Sequence, residues 1–145
     1  MIRKYTSRDR NTVYEMFVEF YNSPAVLHNV DCANFSNTLD EAERNSPYVA
    51  LYVIEHLGQP AGYGQLSLTY SNEAGGKVVL VEEIFIRQQY RGCGLGSEFF
   101  RHIFNEYKDA KRFRLETEPS NQRAAALYLK LGFKPLEYLQ FVKED

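Results

Sequence analysis

The chain has 145 residues, 44% hydrophobic and 25% charged, enough for one domain (1–145) that buries a core without disulfides or metals. A formal net charge of −2 gives no general attraction to nucleic acid or to an anionic membrane, and no apolar run is long enough to span a bilayer. Two isolated cysteines, Cys32 and Cys93, and no signal-like start point to a reducing, cytoplasmic setting, while His28, His56 and His102 show no metal-ligand spacing.

Ile2 to Tyr5 reads as a short opening strand, after which Thr6 or Ser7 caps a helix with Val13, Met16, Phe17 and Phe20 on one face. SPAVLHNVDCANFSNTLDEAERN is irregular, with a second helix expected from Ser36 to Arg44. YVALYVIEHLGQPAGYGQLSLTY predicts two strands around a turn at Gly58 and Gln59. SNEAGG makes a second turn, and KVVLVEEIFI is apolar and β-branched enough for a central strand. Leu95, Phe99, Phe100, Ile103 and Phe104 then keep helical spacing to about Lys108. RFRLETEP predicts a strand ended by Pro119, and Asn121 caps a last helix that Gly132 terminates. LEYLQFVKED supplies a final strand. The order implies an α/β domain with a mixed sheet and helices on both faces.

The turn Arg91-Gly92-Cys93-Gly94-Leu95-Gly96-Ser97 joins the central strand to its helix. Three glycines exceed what one turn needs, and glycine in a first helical turn costs about 0.5–1 kcal/mol relative to alanine. A close approach by another backbone or a ligand accounts for that cost. A glycine-rich turn at a helix N-terminus presents unpaired N–H groups and the positive end of the helix dipole, and Arg91 adds a charge. Phosphate suits such a nest. A P-loop needs a lysine after its last glycine, and a dinucleotide fingerprint needs G-x-G-x-x-G; neither spacing is present.

The spacing Arg91-x-x-Gly94-x-Gly96 resembles the R/Q-x-x-G-x-G/A motif of the GNAT superfamily of acetyl-CoA-dependent N-acetyltransferases. VEEIFIRQQYRGCGLGSEFF is similar to that family's strand–turn–helix unit over its full length, and NQRAAALYLKLGF resembles its second conserved segment. The resemblance covers essentially the whole chain and is weakest over residues 22–47, where the family varies and sets acceptor choice. It implies the GNAT fold, a central, mostly antiparallel mixed sheet with helices on both faces, and acetyl-CoA as co-substrate with no metal. The pantetheine arm would lie along Ile84, Phe85 and Ile86, meeting their backbone groups. The pyrophosphate would rest on Gly92, Cys93, Gly94, Leu95, Gly96 and Ser97, beside Arg91. Asn121 matches the family's asparagine contact to the cofactor, and Tyr128 the tyrosine that protonates the leaving thiolate. Asn121 also suits a plain N-cap, and Tyr128, on one face with Ala124 and Leu131, also suits a core aromatic.

N-acetylation needs a neutral amine, whereas an alkylamine with a pKa of ~10 is mostly charged at neutral pH. A carboxylate can accept the proton. Glu82 and Glu83 interrupt the apolar central strand, and strict alternation sends them to opposite faces, Glu82 with Ile84 and Ile86. Glu116 and Glu118 share one face of the next predicted strand, and Glu116, five residues before Asn121, resembles the general base of relatives that acetylate protein N-termini. Glu82 and Glu116 are both candidates for the base. Cys93 has no histidine partner in the pattern, which favours direct transfer over an acyl-enzyme.

The reading is an N-acetyltransferase for a primary amine, on a small molecule or on a protein lysine or N-terminus. A transferase for another acyl group, a non-catalytic module that senses acetyl-CoA, and an interaction domain using the aromatics of EFYNSPAVLH are the alternatives. Members of the family are often dimers, so a homodimer is within expectation.

Overall fold

The computed structural model describes all 145 residues. Five strands form one sheet in chain order: β1 (Ile2–Lys4), β2 (Ala50–His56), β3 (Gln59–Ser71), β4 (Gly76–Ile86) and β5 (Arg112–Leu115). The first four are antiparallel neighbours, and β5 runs parallel to β4. Four helices cover the sheet: α1 (Arg10–Tyr21), α2 (Ala33–Glu43), α3 (Leu95–Glu106) and α4 (Gln122–Lys130). No helix is long and apolar enough to cross a membrane.

Each sheet face buries its own core, as alternation along the strands requires. On one face Leu95, Phe99, Phe100 and Ile103 of α3 pack against Tyr52, Ile54, Leu66, Val79 and Val81, with Tyr128 and Phe133 at the margin. On the other, Val13, Met16 and Phe17 of α1 and Phe35 and Leu39 of α2 pack against Leu51, Val53, Tyr63 and Phe85. The fold is therefore the expected mixed sheet with helices on both faces.

Four local expectations need correction. Helix α2 begins at Ala33 rather than Ser36, because the Asp31 carboxylate accepts the Ala33 N–H at 2.8 Å and starts the helix early. Strand β5 stops at Leu115, so Glu116 and Glu118 lie beyond it rather than on one strand face. Glu118 there serves the approach to α4: its carboxylate accepts the Ser120 N–H at 2.9 Å. Strict alternation fails in β4, where Gln65 opposes Glu83 and Leu66 opposes Val81, leaving Glu82 as the extra residue of a β-bulge. Finally, LEYLQFVKED forms no strand. After Leu131 the chain leaves α4 through a Schellman turn, with Gly132 at φ 94° and the Phe133 N–H on the Tyr128 carbonyl at 3.0 Å, and runs on outside the sheet.

Candidate active site

Strand β4 carries two unlike sites. The first begins where β5 ends. Strand β5 pairs only with Val78–Val81, so the flank of β4 from Glu82 to Ile86 has no strand beside it on that side, while β3 holds the other. The backbone of Ile84, Phe85 and Ile86 is thus an open edge inside the molecule. The side chains of Ile84 and Ile86 point to the α3 core and that of Phe85 to the α1–α2 core, so only their main-chain groups serve this edge.

The edge leads to the glycine turn. Gly92 and Gly94 adopt φ of 80° and 78°, and a Cβ on either would meet nothing within 4 Å. Positive φ explains these two glycines. The N–H groups of Gly92, Cys93, Gly94, Leu95, Gly96 and Ser97 have no acceptor; the next, of Glu98, bonds the Gly94 carbonyl at 3.0 Å. These orphan donors coincide with the positive end of the α3 dipole. Neither conformation nor space requires Gly96: its φ is not positive, and a Cβ would meet Leu127 at 3.4 Å, an ordinary contact. Arg91 turns its Nε onto the Ile86 carbonyl at 3.0 Å and makes no ion pair. The Cys93 thiol is exposed and the Leu95 side chain is core, so both bring only backbone to the turn.

Asn121 caps α4, its Oδ1 accepting the Ala124 N–H at 3.2 Å, which leaves its amide nitrogen free. Tyr128 packs edge-on against Phe100 and Phe133, at 5.7 and 6.0 Å between centroids. Its hydroxyl makes no hydrogen bond, and burial alone holds its pKa above the ordinary tyrosine value. The residues of the turn and of α4 fit a phosphate-bearing thioester ligand: open donors at one end, a bare strand edge and an uncommitted hydroxyl.

The second site opens on the other side of β4, as a cleft of about 260 Å³ lined in part by Tyr21, Asn34, Thr38, Gln65, Glu82 and Glu83. Its floor is Glu83, the carboxylate that alternation did not single out. The Tyr63 hydroxyl donates to Glu83 Oε2 at 2.7 Å, and the Tyr21 hydroxyl donates to Oε1. Burial raises the Glu83 pKa above the ordinary carboxylate value, and the two tyrosine hydrogen bonds offset this only in part. Burial and the neighbouring carboxylate push both tyrosines upward, so each stays a proton donor to Glu83. Glu82, exposed on the bulge, accepts from Ser67 Oγ at 2.8 Å at the rim of this cleft. Glu116 is exposed beyond β5 and forms no hydrogen bond or ion pair. The cleft therefore gathers Glu82 with Glu83 but not Glu116. Two adjacent carboxylates in an apolar strand were the visible signal for Glu83; the tyrosines, distant in sequence, carried none.

The chain matches the model of the Acetyltransferase (GNAT) family over residues 10–133. It is 31% identical over 136 residues to a Bacillus subtilis (strain 168) protein provisionally named as a ribosomal protein bS18-alanine N-acetyltransferase, covering 92% of this chain and 80% of that one. It is 28% identical over 145 residues to thialysine N-epsilon-acetyltransferase of Mus musculus, covering 93% and 84%. Among solved structures, AAC(6')-Iy in complex with a CoA-based bisubstrate analog superposes with a TM-score of 0.79 at 18% identity, over 100% of this chain and 97% of that one. The strand edge, the glycine turn and the match over residues 10–133 together establish that the chain belongs to the GNAT family of acetyltransferases.

Proposed function

We propose that this N-acetyltransferase moves the acetyl group of acetyl-CoA directly to a primary amine that enters the Glu83 cleft. The observation that carries the reading is the placement of both sites on one strand: an open edge and N–H-rich turn, and, from the opposite face, a half-buried carboxylate held by Tyr21 and Tyr63. Acetyl-CoA supplies an activated acetyl thioester when bound. The main-chain groups of Ile84–Ile86 hold and orient the pantetheine arm. The amides of Gly92–Ser97 bind the pyrophosphate, with Arg91 nearby and the free amide nitrogen of Asn121 as a further contact. A backbone N–H of β4 polarises the thioester oxygen, the contribution of an oxyanion hole.

Glu83 accepts the proton of the incoming ammonium, a task favoured by a carboxylate pKa raised toward neutrality. Glu82, at the rim of the same cleft, draws the cation in; Glu116 stands outside it and is the lesser candidate for the base. Tyr128 holds its proton on an uncommitted hydroxyl and delivers it to the departing sulfur. The Cys93 thiol has the Arg91 carbonyl as its one hydrogen-bond partner, so no base activates it for an acyl-enzyme route. The acceptor is a small amine or a protein lysine or N-terminus.

Calorimetric titration with acetyl-CoA, free CoA and ATP tests the donor half. Binding of the first two with little of the third supports it; a folded protein that binds none of them removes it. Thiol release with a panel of small amines, lysine-containing peptides and peptide N-termini then identifies the acceptor.

A further inference from the structure

Glu83 is held from two sides, and the two holders differ. Tyr63 stands on β3 opposite Phe85, which makes it the diagonal neighbour of Glu83, whose own register partner is Gln65. The Tyr63 ring is fully buried, edge-on to Phe17 at 4.8 Å between centroids and tilted against Phe85 at 5.8 Å. Its hydroxyl has Glu83 Oε2 as its one hydrogen-bond partner. Tyr21 is the last residue of α1 and is only half-buried. It lines the cleft beside Glu83, which Tyr63 does not. An amine entering the cleft therefore meets the Tyr21 hydroxyl and the Oε1 that it covers, while Oε2 is engaged by a hydroxyl that the cleft does not reach.

We propose that the two tyrosines divide the handling of this carboxylate: Tyr63 is a positioning residue that fixes it through Oε2, and Tyr21 is an exchangeable cover that yields Oε1 to the incoming amine. The division rests on Glu83 as the base. The Tyr63 ring also packs on Phe85, so it fixes the carboxylate relative to the strand edge assigned to the thioester. The titratable groups that face Glu83 are Tyr21 from α1, Tyr63 from β3 and Glu82 beside it on β4. Helix α2 and the segment before it bring only Val30, Asn34, Phe35 and Thr38, none of which titrates. No cation stands in this set, so the two hydroxyls are the groups that favour the ionised carboxylate.

The test compares Tyr63→Phe and Tyr21→Phe, each of which keeps its ring, with Glu83→Gln, using the amine that the thiol-release panel identifies. The pH profile of kcat reports the enzyme–substrate complex, and that of kcat/KM the free enzyme. Losing a hydrogen bond to the ionised form raises a carboxylate pKa. In the kcat profile, Tyr63→Phe is therefore expected to move the acidic limb up by about one pH unit, and kcat is expected to fall about tenfold. Tyr21→Phe should leave that limb in place, because the amine has already displaced Tyr21, and should lower the amine KM. Both variants should move the limb of kcat/KM. In ¹³C-glutamate-labelled protein, with the Glu83 carboxyl resonance assigned from Glu83→Gln, the titration midpoint should rise in both variants without any need for turnover. An unmoved kcat limb in Tyr63→Phe, an equal movement of that limb in both variants, a raised amine KM in Tyr21→Phe, or a Glu83 resonance indifferent to Tyr63→Phe would overturn the division. An acidic limb that survives Glu83→Gln would remove Glu83 as the base, and the division with it.

Discussion

Phe99 of α3 occupies the space that a side chain at position 64 of β3 would need: a Cβ on Gly64 would stand 2.2 Å from Phe99 Cζ. The glycine therefore sets how closely α3, and with it the start of the glycine turn, approaches the sheet. Gly64→Ala is expected to cost about 1–3 kcal/mol by overpacking. Thermal melts should show the loss, and adding Phe99→Leu should recover part of it. An unchanged melting temperature in Gly64→Ala would remove this contact as a determinant of the packing.

Glu83→Gln tests the base. The expected loss in kcat/KM is about 10²–10⁴, the usual contribution of general base catalysis, together with loss of the acidic limb of the pH profile. Glu82→Gln should mainly weaken binding of cationic amines, and Glu116→Gln should do little. A normal limb in Glu83→Gln with loss of the limb in Glu82→Gln or Glu116→Gln would move the role to that residue.

The same carboxylate makes a prediction for stability. Its folded pKa is raised, so the folded state binds its proton more tightly than the unfolded state. The native structure thus loses stability as pH rises from the unfolded carboxylate pKa through the folded one. Glu83→Gln should melt higher than the parent at neutral pH, and the difference should vanish below the ordinary carboxylate range. A gap that persists in acid would mean that the substitution acts through packing instead.

Tyr128→Phe removes a hydroxyl that bonds nothing in the fold while keeping the ring against Phe100 and Phe133. Stability should stay within about 0.5 kcal/mol of the parent. Turnover should fall by about 10²–10⁴ with little change in acetyl-CoA affinity. Full turnover would leave the ring as a core aromatic and nothing more.

Gly94→Leu forces a side chain into φ 78° at the helix cap, where space is open but the conformation disfavours it. The turn should re-form with its N–H groups aimed elsewhere. Circular dichroism should still report a folded domain, while calorimetry should show acetyl-CoA binding reduced at least tenfold. Retained affinity would separate the turn from the pyrophosphate.

The elements that could be read ahead of the structure were those written in local pattern. Val79, Val81 and Phe85 announced a buried strand, Phe99 to Ile103 a helix face, and Asn121 and Gly132 the two ends of α4. Glu83 was hidden because one extra residue, Glu82, shifts the alternation, and a bulge is created by pairing with β3 rather than by β4 alone. Tyr21 and Tyr63 reach Glu83 across 62 and 20 residues of chain, a distance that no periodicity spans. The tail misled for the converse reason: its composition suits a strand, but a strand also needs a free edge within reach, and Phe133 and Glu73 steer it elsewhere.

The six unpaired N–H groups of the turn and the bare flank of β4 belong to the main chain, and apart from proline no substitution deletes a main-chain donor. On the proposed reading, drift at positions other than Gly92 and Gly94, whose positive φ favours glycine, leaves the polypeptide's hold on a phosphate-bearing ligand intact. The cleft around Glu83 is assembled from side chains, each of which a single point mutation can replace. Descendants of this sequence can thus keep one donor while sampling new acceptors, with the backbone conserving the first and the genetic code exploring the second.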